Sequence, residues 1–405
     1  MGTGSLITGP KRFGSLHLLA VCWHLTLSIA HTNDDQVSAT FSTCFTLLGI
    51  YWSCLGLPIR FPTTSLIVFT WKLRLACQND KFRHVYMVFS NHQFRRIGRM
   101  TELGKKLRAL FVLSRPPFHS VGVLPFVLGA VLAWRLEAIF NWEVFALGAL
   151  GVVLIMLATY CAGEYWDFKE DSLSIRYGSS RFAGGSQVLQ RGLLSQHFVL
   201  WASVASALSA IGVGFVLQFG YETGQWTILL GVLGILGGFF YSTRPVRWVS
   251  RGWGEIWIAF CYGWLPVAVG YYLQTRTLAH VINFMAIPIG FTIFNVILLN
   301  EFPDYQADLK AKKTNLTVRL GRERASLLYA LVNVGSLVTT LLSLSQGVPL
   351  ETLRFYLPVM LLSLTLVILM MRGSWRNRAT LERLCATNLI VNLGTTVAYI
   401  LGFMS

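Results

Sequence analysis

Seven of the chain's 18 Asp and Glu residues lie in two short segments. The segments read GEYWDFKED, from Gly163, and NEFPDYQAD, from Asn300. Each contains two aspartates four positions apart, and the four are Asp167, Asp171, Asp304 and Asp308. Residues three or four apart share one face of a helix. Each segment therefore predicts a stripe of carboxylates along one side of a helix.

Stripes of this kind predict a cation site. Carboxylates four apart repel each other and destabilise a helix by about 0.2–0.5 kcal/mol per pair, and a bound cation removes that repulsion. Mg²⁺ prefers hard oxygen ligands and bridges one or two carboxylates to substrate phosphates. Two stripes at the same end of a bundle would hold a diphosphate between them through Mg²⁺. The alternative is that these are solvated loop acids paired with nearby Lys and Arg, but two copies in a chain so poor in acids favour a site.

The surrounding sequence fits an anion as well as a cation. Basic residues flank both acidic segments, and Arg binds phosphate oxygens with two parallel hydrogen bonds. The turn Gly184-Gly185-Ser186 could add backbone N–H donors. Aromatic residues interleave with the acids, and they could belong either to an interfacial belt or to a cavity that stabilises a carbocation. These are Tyr165, Trp166, Phe168 and Tyr305.

The elements that must position these residues are predicted to be membrane helices. The chain has 405 residues, of which 54% are apolar and 13% charged, whereas a soluble domain carries about 25% charged residues. This composition excludes a soluble enzyme and a disordered chain. A spanning helix needs about 20 mostly apolar residues. Runs without Asp, Glu, Lys or Arg lie at 116–134, 144–163, 192–221, 223–243, 256–275, 277–300, 325–350, 355–371 and 384–405. The predicted fold is an all-α membrane bundle of nine transmembrane helices.

The positive charges predict the orientation of these helices. The segment before the first span and alternate loops after it contain 21 Lys and Arg, against three on the other side. By the positive-inside rule the rich side is cytoplasmic, and both acidic segments fall on it. The formal charge of +16 would suggest nucleic acid in a soluble protein. In a membrane protein it is the expected cytoplasmic excess, so we predict no nucleic-acid partner, and no obligatory protein partner is evident.

Residues 1–99 differ from the rest of the chain. Their apolar stretches are short or rich in Ser and Thr, and the weak signal-like stretch at 13–30 has no clear small-residue cleavage site. We expect this region to be a poorly ordered or non-native extension, because termini that are not tied to a core are usually disordered. The membrane domain is predicted to occupy residues 100–405.

The two acidic segments resemble the Asp-rich motifs of the UbiA superfamily of intramembrane prenyltransferases, NDxxDxxxD and DxxxD. The flanking segments RFAGGSQVLQRGLLS, YSTRPVRWVSRGWGE and LKAKKTNLTVRLGRERA are similar too, and the resemblance covers about residues 100–405. The GGS-VL and TVRLG stretches are most similar to the branch that prenylates 1,4-dihydroxy-2-naphthoate in menaquinone biosynthesis. In this chain Gly163 stands where the family usually has Asn, and Glu164 where it usually has Asp.

The resemblance implies a helix bundle around a central cavity open to lipid, in which a polyprenyl diphosphate and an aromatic acceptor react with Mg²⁺. It assigns Asp167, Asp171, Asp304 and Asp308 to catalysis and, together with Glu164, to Mg²⁺ binding, while Glu301 would support the second motif. The candidates for substrate binding are Lys169, Arg181, Arg244, Arg247, Lys310 and Asn300. The protein would be an integral membrane enzyme, in the inner membrane if bacterial.

Other functions remain open at this point. The acceptor could instead be 4-hydroxybenzoate, homogentisate or a lipid alcohol. A CDP-alcohol phosphotransferase would need an Asp-Gly pair and a following Ala-Arg, a run that this sequence lacks. A transporter is the alternative from a different class, but transport acids usually lie near the middle of spanning helices. The predicted spans contain no acids, which favours the enzyme.

Overall fold

The computed structural model of the protein describes residues 101–177 and 180–405, and every regular element in these two ranges is a helix. The expectation about residues 1–99 falls outside them. Eleven helices follow one another along the chain. They are α1 Glu102–Leu113, α2 Pro116–Glu137, α3 Trp142–Trp166, α4 Phe168–Tyr177, α5 Gln196–Gly220, α6 Thr227–Ser242, α7 Gly254–Thr275, α8 Val281–Lys310, α9 Leu316–Leu344, α10 Glu351–Met371 and α11 Arg378–Met404.

The predicted all-helical membrane fold is confirmed, whereas the count of nine spanning helices is not. Within the described residues eight helices are long and apolar enough to cross a membrane, namely all except α1, α4 and α6. The predicted fourth span is α6, which has 16 residues. At about 1.5 Å per residue it is about 24 Å long, shorter than the roughly 30 Å hydrocarbon layer. It covers less than its apolar run, 223–243, chiefly because it begins only at Thr227, three residues after Gly224 with its φ of +109°.

Side-chain caps fix where several of these helices begin. The carboxamide oxygen of Asn141 accepts from the backbone N–H groups of Glu143 and Val144 at the start of α3. Asn315 caps α9 and Asn377 caps α11 in the same way. Such caps satisfy N–H groups that have no partner inside the helix. They explain why these helices start directly after polar residues.

Helix α8 is the centre of the bundle, and it packs against α7, α9 and α11. On one side Leu298 and Phe302 pack with Tyr329 of α9 and Leu384 of α11 in one hydrophobic cluster. On the other side Met285 packs in a second cluster with residues of α2, α7 and α11. The apolar surface of α8 is therefore buried on two sides, and its last turns are fixed in position.

Glycines allow α7 to approach both of its neighbours closely. A Cβ atom added at Gly270 would lie 2.1 Å from the backbone oxygen of Phe126 in α2. A Cβ atom at Gly263 would lie 2.7 Å from the Cα of Gly290 in α8. No larger residue fits at these separations, so α7 is held in backbone contact with α2 and α8. Close packing through small residues is typical of membrane helices.

The outer faces of the bundle are apolar. Leu208 and Phe219 of α5 and Leu331 and Leu342 of α9 are each more than half exposed. Large exposed apolar surfaces are rare on proteins that face water on all sides. A lipid environment accounts for them.

A carboxylate-lined cavity as the candidate active site

The first acidic segment lies where one helix ends and the next begins. Helix α3 ends at Trp166, Asp167 is its C-cap, and α4 starts at Phe168. The break is small, because the N–H of Asp171 still donates to the backbone oxygen of Asp167 at 2.9 Å. Glu164, Asp167 and Asp171 therefore line one cavity even though they belong to two helices.

The second acidic segment lies on the last turns of α8, within one continuous helix. Asp304 and Asp308 line the same cavity as the first segment. The cavity has a volume of about 240 Å³. The structure thus brings all five predicted metal ligands to one place. It also places Asn300 and Glu301 on the wall of this cavity.

Glu164 and Asp171 lie against the glycine turn. Glu164 is buried, its Oε1 accepts a hydrogen bond from the N–H of Ser186, and Arg115 Nη2 lies 3.4 Å from the same oxygen. Gly185 has a φ of +69°, and a Cβ atom added there would lie 2.2 Å from Asp171 Oδ2. Burial, followed by the nearby charges of Glu164 and Asp167, raises the pKa of Asp171 well above its ordinary value.

Asp167 is held by two donors from other parts of the chain. Ser242 Oγ donates to Asp167 Oδ2 at 2.7 Å, and Arg247 Nη2 donates to Asp167 Oδ1 at 2.8 Å. The same Arg247 nitrogen lies 2.6 Å from Glu170 Oε1. Burial would raise the pKa of Glu170, but the hydrogen bond and charge of Arg247 hold it below its ordinary value. The guanidinium therefore pairs with two carboxylates at once.

The second segment is held by α4 and by the loop that follows α8. Ser174 Oγ donates to Asp304 Oδ1 at 2.8 Å. Asn315 Nδ2 donates to Asp308 Oδ2 at 2.8 Å, and Lys313 Nζ lies 3.3 Å from Asp308 Oδ1. Burial would lower the pKa of Lys313, but the surrounding aspartates raise it well above its ordinary value. Lys313 is thus a charged group in the midst of the carboxylates.

The basic residues that line the cavity are not those predicted from the sequence. Within the described residues the lining cations are Arg115 and Lys313. Of the predicted set, Arg247 contacts Asp167 directly, whereas Lys169, Arg181, Arg244 and Lys310 are not lining residues. The sequence could have identified Lys313 as a lining residue by its position, because it lies five residues after Asp308 in the loop that follows α8.

The aromatic residues that line the cavity also differ from those beside the acids. Tyr165, Trp166, Phe168 and Tyr305 are not lining residues. The aromatic walls come from other parts of the chain, where no neighbouring acid identifies them in the sequence. They are Phe118, Tyr160, Phe182, Tyr241 and Tyr262.

The donor set fits a hard divalent cation. In the part of the chain that the structure describes, no three Asp, Glu, His or Cys side chains come together as a ready metal-ligand group. The carboxylates instead line walls of the cavity built from α3, α4 and α8. Glu164 Oε2 is buried and has no hydrogen-bond partner among the described residues. Mg²⁺ prefers oxygen ligands, so such a cation bound in this cavity would satisfy the carboxylate oxygen that lacks a donor.

A second cavity adjoins the first and is apolar. It has a volume of about 110 Å³ and shares Thr159, Ile258 and Tyr262 with the carboxylate-lined cavity. Its remaining walls are largely glycine and aliphatic side chains of α3, α5, α6 and α7. The two cavities together place a strongly polar site next to an apolar space within one helix bundle.

The known proteins that resemble this chain agree with that arrangement. Residues 123–392 match the UbiA prenyltransferase family. This range makes up well over half of the chain and includes both acidic segments. The chain belongs to the UbiA prenyltransferase family. It is therefore a membrane-bound prenyltransferase, and its apolar helices are those of an integral membrane protein.

Relatives with assigned activities come from the naphthoate branch of this family. The 1,4-dihydroxy-2-naphthoate octaprenyltransferase of Haemophilus influenzae is 24% identical over 267 residues, covering 64% of this chain and 85% of the relative. The enzyme of the same name from Mycobacterium tuberculosis is 28% identical over 233 residues, covering 57% and 77%. These proteins support the similarity to the naphthoate branch that the flanking motifs indicated.

A solved structure supports the fold. The structure of a UbiA homolog from Archaeoglobus fulgidus bound to GPP and Mg²⁺ matches with a TM-score of 0.53 at 16% identity. The match covers 72% of this chain and 99% of that chain. Because the sequence identity is low, this match establishes a shared fold alone.

Proposed function

We propose that this enzyme transfers a polyprenyl group from a polyprenyl diphosphate to an aromatic acceptor, with 1,4-dihydroxy-2-naphthoate as the acceptor. The observation that carries the proposal is the convergence of Glu164, Asp167, Asp171, Asp304 and Asp308 on one cavity. Its neighbour is an apolar cavity. A prenyl diphosphate has the same two parts, a charged head and a hydrocarbon tail.

The head of the substrate is proposed to lie among the carboxylates. Carboxylates alone would repel a diphosphate, so Mg²⁺ held by the five acids is part of the proposal; bound there, it would neutralise the diphosphate as that group departs. Arg115 and Lys313 line the cavity and would add positive charge from the protein. Arg247 fixes the orientation of Asp167. The contacts of Lys169, Arg181, Arg244 and Lys310 with diphosphate stay predictions from the resemblance, because none of the four lines the cavity.

The tail is proposed to extend into the apolar cavity. Each CH₂ group transferred from water into apolar surroundings contributes about 0.8 kcal/mol. The glycines in its wall, among them Gly151 and Gly234, leave room for an isoprenoid chain. The low water content of this region would protect an allylic cation from hydrolysis.

The acceptor assignment rests on the named relatives. Both octaprenyltransferases described above carry 1,4-dihydroxy-2-naphthoate in their names, which supports this acceptor. The resemblance implies that the reaction belongs to menaquinone biosynthesis. Asn300 lines the cavity and is proposed to contact the substrate. The positive charges of the loops at this end of the bundle support a cytoplasmic position for the site.

An assay on membranes tests this proposal. Membranes containing the protein are incubated with Mg²⁺, a radiolabelled polyprenyl diphosphate and each of three acceptors: 1,4-dihydroxy-2-naphthoate, 4-hydroxybenzoate and homogentisate. We expect labelled lipid product with the naphthoate and little with the other two. Product with one of the others alone would overturn the acceptor assignment while leaving prenyl transfer in place. No product with any acceptor would contradict the proposed reaction.

A further inference from the structure

Helix α1 carries a stripe of exposed apolar side chains. Leu103, Leu107 and Phe111 are 68%, 59% and 65% exposed. They follow one another at intervals of four residues, so they lie on one face of the helix. With 12 residues, α1 is about 18 Å long and too short to cross a membrane. We refer to Leu103, Leu107 and Phe111 as the outer stripe.

The opposite face of α1 is fixed to the bundle. Ala109 and Leu113 are fully buried. They pack in one hydrophobic cluster with Val188 and Leu189, which follow the glycine turn. At about 100° per residue, Ala109 lies about 160° and Leu113 about 120° around the helix from Leu107. The protein therefore covers one side of α1 and leaves the outer stripe exposed.

Basic residues flank the outer stripe on both sides. Lys106 and Arg108 are the immediate neighbours of Leu107, so they lie about 100° from it in opposite directions around the helix. Lys106 is exposed and Arg108 is half-buried. Such side chains can place their hydrocarbon stems along apolar surface while their charged ends stay in water. An apolar stripe with basic residues at its edges is typical of a helix that lies in a membrane interface.

The neighbours of α1 place it near the membrane surface. Only Ser114 and Arg115 separate it from α2, which is one of the spanning helices. The cluster that buries its inner face includes Val199, on the first turn of α5. Close to Val199, Phe198 is 41% and Trp201 69% exposed, and Trp is enriched where membrane helices meet the interface. The outer stripe therefore borders the lipid-facing surface of the bundle.

The inner face of α1 also supports the carboxylate-lined cavity. Val188 lies two residues after Ser186, whose N–H donates to Glu164 Oε1. The C-terminal end of α1 leads into Arg115, whose φ is +48° and whose Nη2 lies 3.4 Å from the same oxygen. A displacement of α1 would therefore move both of these donors relative to Glu164.

We propose that α1 is a docking surface for anionic phospholipids. The outer stripe inserts among the acyl chains of the leaflet nearest the carboxylate-lined cavity, and Lys106 and Arg108 bind headgroup phosphates. Helix α1 has three basic residues and one acidic residue, so its charge complements an anionic membrane surface. Docking also holds Arg115 and the glycine turn beside Glu164. The lipid contact is independent of the proposed reaction, whereas its effect on turnover rests on the proposed function.

Photo-crosslinking of the full chain identifies what covers the outer stripe. Leu107 is replaced by the photoreactive residue p-benzoylphenylalanine, and the protein is reconstituted in liposomes of phosphatidylcholine and phosphatidylglycerol, with one lipid radiolabelled in each sample. The control position is Glu323 of α9, which is exposed and paired with Arg376. We expect labelled lipid on the protein at position 107, with a yield at least about tenfold above that at position 323.

The same cross-link tests recognition of the headgroup. With equal amounts of the two lipids, we expect about threefold more adduct with phosphatidylglycerol than with phosphatidylcholine, because basic residues attract anionic headgroups. Lys106→Gln combined with Arg108→Gln should lower this ratio to about one. The control, Arg324→Gln combined with Arg372→Gln, removes the same charge from exposed arginines outside α1 and should keep the ratio.

The rate of prenyl transfer tests the effect on the site. Adding phosphatidylglycerol to phosphatidylcholine liposomes should raise wild-type turnover about threefold. The variant with Lys106→Gln and Arg108→Gln should lack this response, and the variant with Arg324→Gln and Arg372→Gln should retain it. An equal response in wild type and in the α1 variant would overturn the effect of docking on the site.

The cross-links also separate lipid from other occupants of the outer stripe. Cross-links to residues 1–99 or to a second copy of the chain, without lipid adducts, would overturn the proposal. An adduct with no preference for phosphatidylglycerol, or a preference that persists in the α1 variant, would overturn the headgroup contact. Failure of the proposed function is distinct, because the wild-type protein would then transfer no prenyl group while the lipid adducts still form.

Discussion

The two acidic segments reach the same cavity in different ways. In the first, Asp167 is the C-cap of α3 and Asp171 lies on the first turn of α4, so the pair spans the junction between two helices. In the second, Asp304 and Asp308 lie on one uninterrupted helix. A helix by itself fixes the spacing of the second pair. The first pair needs support from outside its own helices.

The supporting groups differ accordingly. Asp167 is held by the guanidinium of Arg247 and the hydroxyl of Ser242. Asp304 has the hydroxyl of Ser174 as its side-chain donor. In the first segment arginines pair with Asp167 and Glu164, whereas in the second Lys313 pairs with Asp308 and, among the described residues, Asp304 is in no ion pair. We expect Asp304 to depend more on a bound cation than Asp167, and the following experiments test that difference.

We expect the largest effect on prenyl transfer when Asp167 or Asp304 loses its charge. Asp167→Asn and Asp304→Asn keep the shape of the side chain but remove a metal ligand and a negative charge. We expect prenyl transfer to fall more than about 100-fold in both, with membrane insertion and Tm in detergent close to wild type. Full activity in either variant would refute the role of that segment.

Removal of divalent cations should have an effect of similar size. We expect EDTA to abolish turnover and added Mg²⁺ to restore it, because the carboxylates that line the cavity outnumber its two lining cations. Turnover that continues undiminished in EDTA would contradict the proposed use of the five acids.

A matched pair of glycines tests the contact between the glycine turn and the first segment. Gly185 and Gly192 have nearly the same backbone, with φ of +69° and +65°. A Cβ atom at Gly185 would collide with Asp171, whereas at Gly192 it would meet nothing within 4 Å. Both alanine variants should lose about 1–2 kcal/mol of stability from the left-handed backbone. Only Gly185→Ala should also lower Mg²⁺ affinity in a titration, by about tenfold. Equal affinities in the two variants would refute the close contact.

We expect the smallest effects, measured as Mg²⁺ affinity, when the two serine donors are removed one at a time. Ser174→Ala removes the side-chain donor of Asp304, and Ser242→Ala removes one of two side-chain donors of Asp167. A hydrogen bond to a charged group contributes about 1.5–3 kcal/mol, less where other donors remain. We expect Mg²⁺ affinity to change by about tenfold in Ser174→Ala and by about threefold in Ser242→Ala. The reverse order would show that Arg247 does not support Asp167 as the geometry indicates.

The sequence predicted the helical membrane fold well because its signals are local. Apolar runs about 20 residues long identify spanning helices without knowledge of their neighbours. The one segment predicted as a span that proved shorter, α6, begins at Thr227 because the first four residues of its apolar run, 223–243, are not helical. The acidic segments were also local signals, since their i, i+4 spacing is visible in the chain.

The basic and aromatic walls of the cavity were not predictable in the same way. Lysines and arginines are abundant in every loop on the positively charged side, so their presence there carries little information. Lys313 lines the cavity and Lys310 does not, although Lys310 is the last residue of α8 and Lys313 follows only three residues later. The turn that separates them decides which one reaches the carboxylates. Phe118 and Tyr262 line the cavity from helices that carry none of the predicted metal ligands.

Taken alone, the order of residues determined that this protein is a bundle of apolar helices with two carboxylate stripes, because hydrophobic length and helical spacing are properties of short segments. Tertiary structure decided that the stripes share one cavity, that an apolar cavity adjoins it, and that Arg247 contacts Asp167. These arrangements depend on contacts between residues far apart in the chain, such as the 80 positions that separate Asp167 from Arg247. Local spacing does not encode such contacts, because they form only when the helices pack together.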